Sequence, residues 1–287
     1  MRVIFINDCA FVARTLTPFL KERGVEVLLL ERGVNPIDKT VKSALNCVKA
    51  LLKLDKETIV HVNYAYQDAF VMGFLSYFRG RKIDVLHCHG SDVRWKQYGR
   101  TGFIVKFGLK RARKILVSTP DLIEHVETYL PEYLPNPIDV EMFKPQGTCP
   151  PRALYQWLWY EKLPPEIPQA LKEAGIGLTI LKSKKGTKAR SMPIKWRDMP
   201  SFLNEFGIFI SCFTIPFFTK TALESMACGL ATIDYRHKDL KKRIEELSDP
   251  SFRVREGIRN RAYILMHHDA RKITDQLVDI YESLLRR

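Results

Sequence analysis

The segment Thr219-Lys220-Thr221-Ala222-Leu223-Glu224-Ser225 has residue types and spacing suited to holding a phosphorylated ligand. A helix starting near Thr219 to Thr221 presents unpaired backbone N–H groups and the positive end of its dipole, a ready seat for a diphosphate. Glu224 lies one turn in, where a carboxylate can accept hydrogen bonds from ribose hydroxyls. The same letters also read as a capping box, Thr221-x-x-Glu224, in which the carboxylate only closes back on its own helix start. From the residues alone the two readings stand level. A helix terminus contributes about 0.3–2 kcal/mol toward an anion, whereas micromolar binding needs about 8 kcal/mol. Cationic side chains must assist, and Lys162, Lys182 and Lys220 are the candidates.

A second polar cluster, His87-Cys88-His89-Gly90-Ser91-Asp92, alternates two imidazoles at the end of an apolar run. Two histidines without a third ligand at metal spacing make a poor cation site. The expectation is therefore no metal, with one ring turned inward and one lining a crevice.

These residues need a scaffold, and the apolar pattern supplies one. In the first half, short β-rich runs at 2–6, 25–30, 58–62, 83–87 and 115–118 alternate with helical periodicity at 13–23, 39–52, 68–78, 102–113 and 122–129. Such alternation indicates a parallel sheet covered on both faces. The second half repeats it in shorter form, with strands at 153–158, 177–181, 208–211 and 231–233, and helical sequence from 238–247 and 250–287. Proline-rich sequence around Pro135-Asn136-Pro137 and Pro145 to Pro151 marks the crossover, with the boundary near residue 145. The fold class is α/β, two Rossmann-like lobes facing across a cleft, with domains at 1–145 and 146–268.

In open α/β sheets, ligands gather beyond the carboxyl ends of the strands. In the first half, those positions hold Asn7, Asp8, His61, Asn63, Tyr64, His89 and Asp92, and in the second Lys162, Lys182 and Asp234-Tyr235-Arg236. Strand-to-helix loops are polar in most proteins, so their joint placement matters more than any single residue.

Composition narrows the partners. The net charge is +14, and the bases cluster at 94–114 and 182–197, as for a protein that meets phosphates on nucleotides, nucleic acid or anionic lipid. No nucleic-acid motif accompanies the charge, so no nucleic-acid partner is expected. The six cysteines are scattered, with no C-x-x-C pair, and read as reduced. No apolar run approaches the roughly 20 residues of a membrane helix, and the first strand stops too early for a signal peptide. A cytoplasmic protein is expected, at most peripheral at the inner membrane face.

Three blocks in order carry a resemblance. Leu223-Glu224-Ser225-Met226-Ala227-Cys228-Gly229-Leu230-Ala231-Thr232-Ile233 is similar to the L-E-A-M-A-C-G-x-P-V-I block of family 4 glycosyltransferases. His87-Cys88-His89-Gly90-Ser91-Asp92 resembles the family's H-x-H-G-x-D segment, and Leu134-Pro135-Asn136-Pro137-Ile138-Asp139 with Phe143 its crossover block. The resemblance implies a GT-B fold and metal-independent, retaining transfer from a nucleotide-sugar, UDP- or GDP-linked, with no other cofactor. By position, Glu224 would hold the ribose, Thr219, Lys220 and Thr221 the diphosphate, and Lys162 would match the family's lysine. His89 and Asp92 would form the catalytic pair, with His89 facing the donor sugar. Asn7, Asp8, His61, Asn63 and Tyr64 would serve the acceptor, a glycan or lipid-linked molecule, with an anionic membrane surface as a further partner. The segment 269–287 would pack back on the first domain.

Three departures qualify the resemblance. Pro216 stands where the first glutamate of the E-x7-E pair belongs, so the acid that contacts the donor sugar is missing. Trp157-Leu158-Trp159-Tyr160 replaces the glycine-arginine after the first strand of the second domain, and Asn7-Asp8-Cys9-Ala10 lacks the usual glycines. Two functions follow: a glycosyltransferase, or a GT-B-like nucleotide- or glycan-binding protein without catalysis.

Overall fold

The runs Arg2–Ile6, Thr58–Asn63 and Ile83–Cys88 are buried at nearly every position because both faces of each strand are covered, which leaves a parallel strand no solvent side. The computed structural model describes residues 1–31, 36–147, 149–156, 163–181, 194–211, 213, 214 and 216–286. The chain divides into two compact units, Met1–Pro137 together with Ala270–Arg287, and Ile138–Asp269.

The first unit runs β1 (Arg2–Ile6), α1 (Val12–Glu22), β2 (Glu26–Leu30), α2 (Pro36–Leu52), β3 (Thr58–Asn63), α3 (Gln67–Tyr77) and β4 (Ile83–Cys88). It continues through α4 (Ser91–Arg94), α5 (Gly102–Lys110), β5 (Ala112–Val117), α6 (Leu122–Val126) and β6 (Glu132–Tyr133). Its six strands form one sheet in the order β2-β1-β3-β4-β5-β6, every pair parallel.

The second unit runs β7 (Arg152–Gln156), α7 (Glu166–Glu173), β8 (Gly177–Leu181), α8 (Met199–Leu203), β9 (Ile208–Ile210), α9 (Lys220–Ala227) and β10 (Ala231–Ile233), then α10 (Leu240–Ser248) and α11 (Pro250–His267). Its sheet order is β10-β9-β7-β8, again parallel. The last helix, α12 (Ala270–Leu285), belongs to the first unit, where Ile273, Leu277, Tyr281 and Leu284 share a core with Leu16 and Leu20 of α1.

Several elements differ from the sequence expectation, each for a tertiary reason. The first unit ends at Pro137 rather than near 145, because Ile138, Val140 and Phe143 pack into the core of the second unit with Phe209 and Leu223. The helical run 250–287 is broken at His268–Asp269, where the Ile138 N–H donates to the His268 carbonyl at 2.7 Å. The helix expected over 102–113 stops at Lys110, and Ala112–Val117 becomes strand. Its cationic start is tolerated because Arg113 pairs with Asp84 at 3.0 Å and Lys114 with Glu132.

The basic stretch 94–114 is therefore not a uniform patch. Arg94 pairs with Asp121, Lys96 sits over the Tyr66 ring at 4.0 Å, and Arg111 donates to the Arg81 carbonyl. Lys106 and Lys110 remain on the exposed side of α5.

Candidate functional site

Two polar edges carry the candidate residues, one in each unit. In the first, Asn7 and Asn63 end the adjacent strands β1 and β3 and hold each other reciprocally. The Asn7 amide donates to the Asn63 carbonyl at 3.1 Å, and the Asn63 amide donates to the Asn7 carbonyl at 3.0 Å. That commitment turns Asn63 Oδ1 toward His89 Nε2 at 3.2 Å. An amide oxygen only accepts, so His89 Nε2 carries a proton and donates to it.

The backbone around this pair is left-handed without glycine. Asn7, Ala10, Phe11 and Tyr64 have φ of 69, 52, 58 and 87°. The loop after β1 thus keeps the left-handed turns that its missing glycines would have supplied, at the cost of strain. Tyr64 is held by its N–H to the His87 carbonyl at 2.8 Å and by its hydroxyl against Ser91 Oγ at 2.7 Å.

Asp92, expected beside His89 as a catalytic group, is an anchor instead. It is fully buried, and its two oxygens accept from the backbone N–H groups of Ala65, His89, Gly90 and Val93 at 2.8–3.2 Å. Burial pushes its carboxyl up despite these donors. Its work is to fix the turn that presents His89.

Asp8, expected on the acceptor side, caps the start of α1, accepting from the Arg14 N–H at 3.2 Å. His61, also expected there, lies within β3 rather than beyond it and is fully buried. Its Nδ1 meets the Tyr281 hydroxyl of α12 at 2.6 Å. Burial lowers His61 well below the ordinary imidazole range and takes His87 down to about 3. His87 packs against His89 with the rings tilted by 36° and their centroids 4.2 Å apart, and neither of its ring nitrogens has a hydrogen-bond partner among the described residues. Among those residues no group of three His, Cys, Asp or Glu could hold a metal.

In the second unit, Thr219 is the N-cap of α9, its hydroxyl accepting from the Ala222 N–H at 3.2 Å. Thr221 is already inside the helix, so the Thr221-x-x-Glu224 capping box does not form. Glu224 turns elsewhere: its Oε1 accepts from the Trp196 indole N–H at 3.2 Å. The carboxyl is 4% exposed, and burial pushes it up to about 7 against the pull of Lys220 and Trp196. A buried acid retained one turn into a helix without serving that helix has the marks of a binding group.

The other end of α9 is fixed firmly. Arg261 of α11 donates to the Ala227 carbonyl at 2.6 Å and to the Phe143 carbonyl at 3.1 Å. Gly229 takes the left-handed conformation that ends the helix, with φ 81°. Gly257 lets α11 approach so closely that a Cβ there would lie 2.0 Å from the Gly229 carbonyl oxygen.

Beyond β10, the buried Asp234 grips Arg236 with two hydrogen bonds, 2.8 and 2.6 Å, and Arg236 lies 4.7 Å over the Phe218 ring, just ahead of the α9 start. Burial opposes ionisation of Asp234, yet the hydrogen bonds from His237 and Arg236 hold it well below the usual carboxylate range. Trp196 is a contributor that the sequence patterns do not single out. Trp196 stands in no motif, whereas Arg236 follows a strand end and was legible as an edge residue. Lys162 and Lys182 lie outside the described residues, and Pro216 is exposed.

No family model and no curated protein matches the sequence. Solved structures do match over nearly the whole chain. Sucrose-phosphate synthase from Thermosynechococcus elongatus is 12% identical, with a TM-score of 0.71 over 99% of each chain. HepE of Anabaena in complex with UDP-glucose is 12% identical, with a TM-score of 0.65 over 99% of this chain and 100% of its own. The UDP-forming α,α-trehalose-phosphate synthase from Burkholderia vietnamiensis is 9% identical, with a TM-score of 0.64 over 99% and 100%. With its two parallel α/β units, the chain has the fold of the GT-B glycosyltransferases.

Proposed function

We propose that the chain transfers a sugar, with retention at the anomeric carbon, from a nucleotide-sugar to a glycan or lipid-linked acceptor. The observation that carries this reading is Glu224, a buried carboxyl one turn into α9 that binds Trp196 and leaves the helix start to Thr219. That arrangement suits a ribose at the carboxylate and a diphosphate at the α9 N-terminus, with Thr219, Lys220 and Thr221 around it. Similarity in fold to a protein that binds UDP-glucose supports a uridine donor.

In the reaction, the acceptor oxygen forms the new bond to the anomeric carbon while the bond from that carbon to the diphosphate oxygen breaks. The acceptor proton passes to the departing diphosphate, and no protein nucleophile is required. Stabilisation of the leaving diphosphate by fixed N–H groups and cations supplies most of the acceleration. His89, with Nε2 held protonated against Asn63, is a hydrogen-bond donor there rather than a base.

One observation favours a second reading, a nucleotide-binding protein without transfer: Pro216 brings no carboxylate to the donor sugar. Incubation with UDP- and GDP-sugars, followed by quantification of released nucleoside diphosphate, separates the two. Release that Glu224→Ala abolishes supports transfer. Saturable nucleotide binding with no release supports the second reading, and absence of both refutes the site.

A further inference from the structure

Three helices of the first unit, α2, α3 and α5, present an outer face made of apolar and cationic residues. On α2, Val41, Leu45, Val48 and Leu52 recur at i, i+4, i+7 and i+11 and are all exposed, Leu52 at 72%. Core helices bury such a stripe. Next to α2, α3 exposes Phe74 and Tyr77, Phe78 at its C-cap is exposed at 70%, and α5 exposes Phe103 at 64%. The aromatic rings are continuous between the two helices. Phe70 meets Phe74 at 6.5 Å, Phe103 at 6.3 Å and Phe107 at 5.2 Å, and Phe74 meets Phe78 at 5.0 Å. An apolar patch of this extent on a protein surface marks a contact with something.

The charges on the same helices identify what. Lys49, Lys53, Lys106 and Lys110 flank the apolar residues, and no aspartate or glutamate stands in 39–54, 69–83 or 93–120. Two copies meeting face to face would bring these lysines against each other across a dry contact, a like-charge arrangement that disfavours a dimer. An anionic bilayer satisfies both components at once. Aromatic and aliphatic side chains enter the headgroup region while lysine stems lie along it and their ammonium groups reach lipid phosphates. Among the described residues no helix is long and apolar enough to cross a membrane, so contact through this face would be interfacial.

We infer that the outer face of α2, α3 and α5 docks on an anionic lipid surface, with Phe78 and Phe103 as its inserted anchors. This docking is independent of the sugar-transfer reading, since vesicle binding is measured with no donor present. The test is co-sedimentation of the full chain with phosphatidylglycerol-containing or pure phosphatidylcholine vesicles, with Phe78→Ser/Phe103→Ser and Lys106→Glu/Lys110→Glu alongside. These side chains are exposed, and unchanged circular dichroism checks the fold. The expected result is binding to the anionic vesicles, at least about tenfold weaker for phosphatidylcholine and for both variants, and weakened by salt. Failure of the chain to bind anionic vesicles, or binding that neither variant reduces, overturns the inference. So does a dimer in sedimentation velocity that dissociates in Phe78→Ser/Phe103→Ser, since the face would then be a contact between copies.

Discussion

Trp196 donates its indole N–H to Glu224 at 3.2 Å, joining the segment just before α8 to the first turns of α9 across 28 residues of sequence. This bond, together with Lys220, offsets part of the burial that raises the Glu224 carboxyl to about 7. Trp196→Phe keeps an aromatic ring and removes the donor. A hydrogen bond to a charged group is worth about 1.5–3 kcal/mol, so nucleotide binding should weaken by about tenfold or more. The pH midpoint of binding should also move upward from about 7, because the ionised carboxylate loses a donor. Calorimetric titration across a pH series measures both.

Glu224 also makes stability depend on pH. In the unfolded chain it ionises near its ordinary value of 4.5, and in the folded chain near 7, so the folded state binds more protons between those values. Stability therefore falls as pH rises through that window, and the loss is complete above the folded value. The shift corresponds to about 3 kcal/mol. Glu224→Gln should raise the melting temperature at about pH 8 and change it little at about pH 4.5, as read by scanning calorimetry, while weakening nucleotide binding.

Asn63 joins three groups, the Asn7 amide, the Asn7 carbonyl and His89 Nε2, through its backbone carbonyl, its amide nitrogen and its Oδ1. Asn63→Leu should leave the Asn7 carbonyl and the His89 ring without their partner. A loss of about 2 kcal/mol or more in urea unfolding is expected. The Nε2-protonated form of His89 should no longer dominate in nitrogen-detected spectra.

Gly257 should tolerate no side chain. A Cβ would lie 2.0 Å from the Gly229 carbonyl oxygen, a backbone atom that also ends α9. Gly257→Ala should destabilise by about 2 kcal/mol or more and weaken nucleotide binding by displacing α9, measurable by denaturation and calorimetry together.

Much of the scaffold was legible in the sequence because parallel strands buried on both faces leave unbroken apolar runs, as at Val3 to Ile6. Glu224 was legible as a position, but not as a choice between ribose ligand and capping group. The capping reading is removed by Thr219 capping α9 and by Trp196, a contact no local spacing encodes. In the sequence His61 looks like an edge residue because the polar Asn63 and Tyr64 follow it closely. Its burial depends on Tyr281, 220 residues away on α12. Asp92 carries the right chemistry in the right motif, and only the backbone around it shows that its oxygens hold a turn. The unit boundary fell early for a similar reason: Phe143 looks like crossover sequence until the core that receives it is known.

The proposed nucleotide site of the second unit is tested most directly by calorimetric titration of the purified protein with UDP, GDP and ADP, with Glu224→Ala in parallel. Saturable binding of one diphosphate, weakened at least about tenfold by the substitution, is the expected result. No binding at millimolar nucleotide, or binding that Glu224→Ala leaves unchanged, would contradict the assignment of α9 and Glu224 as the donor site.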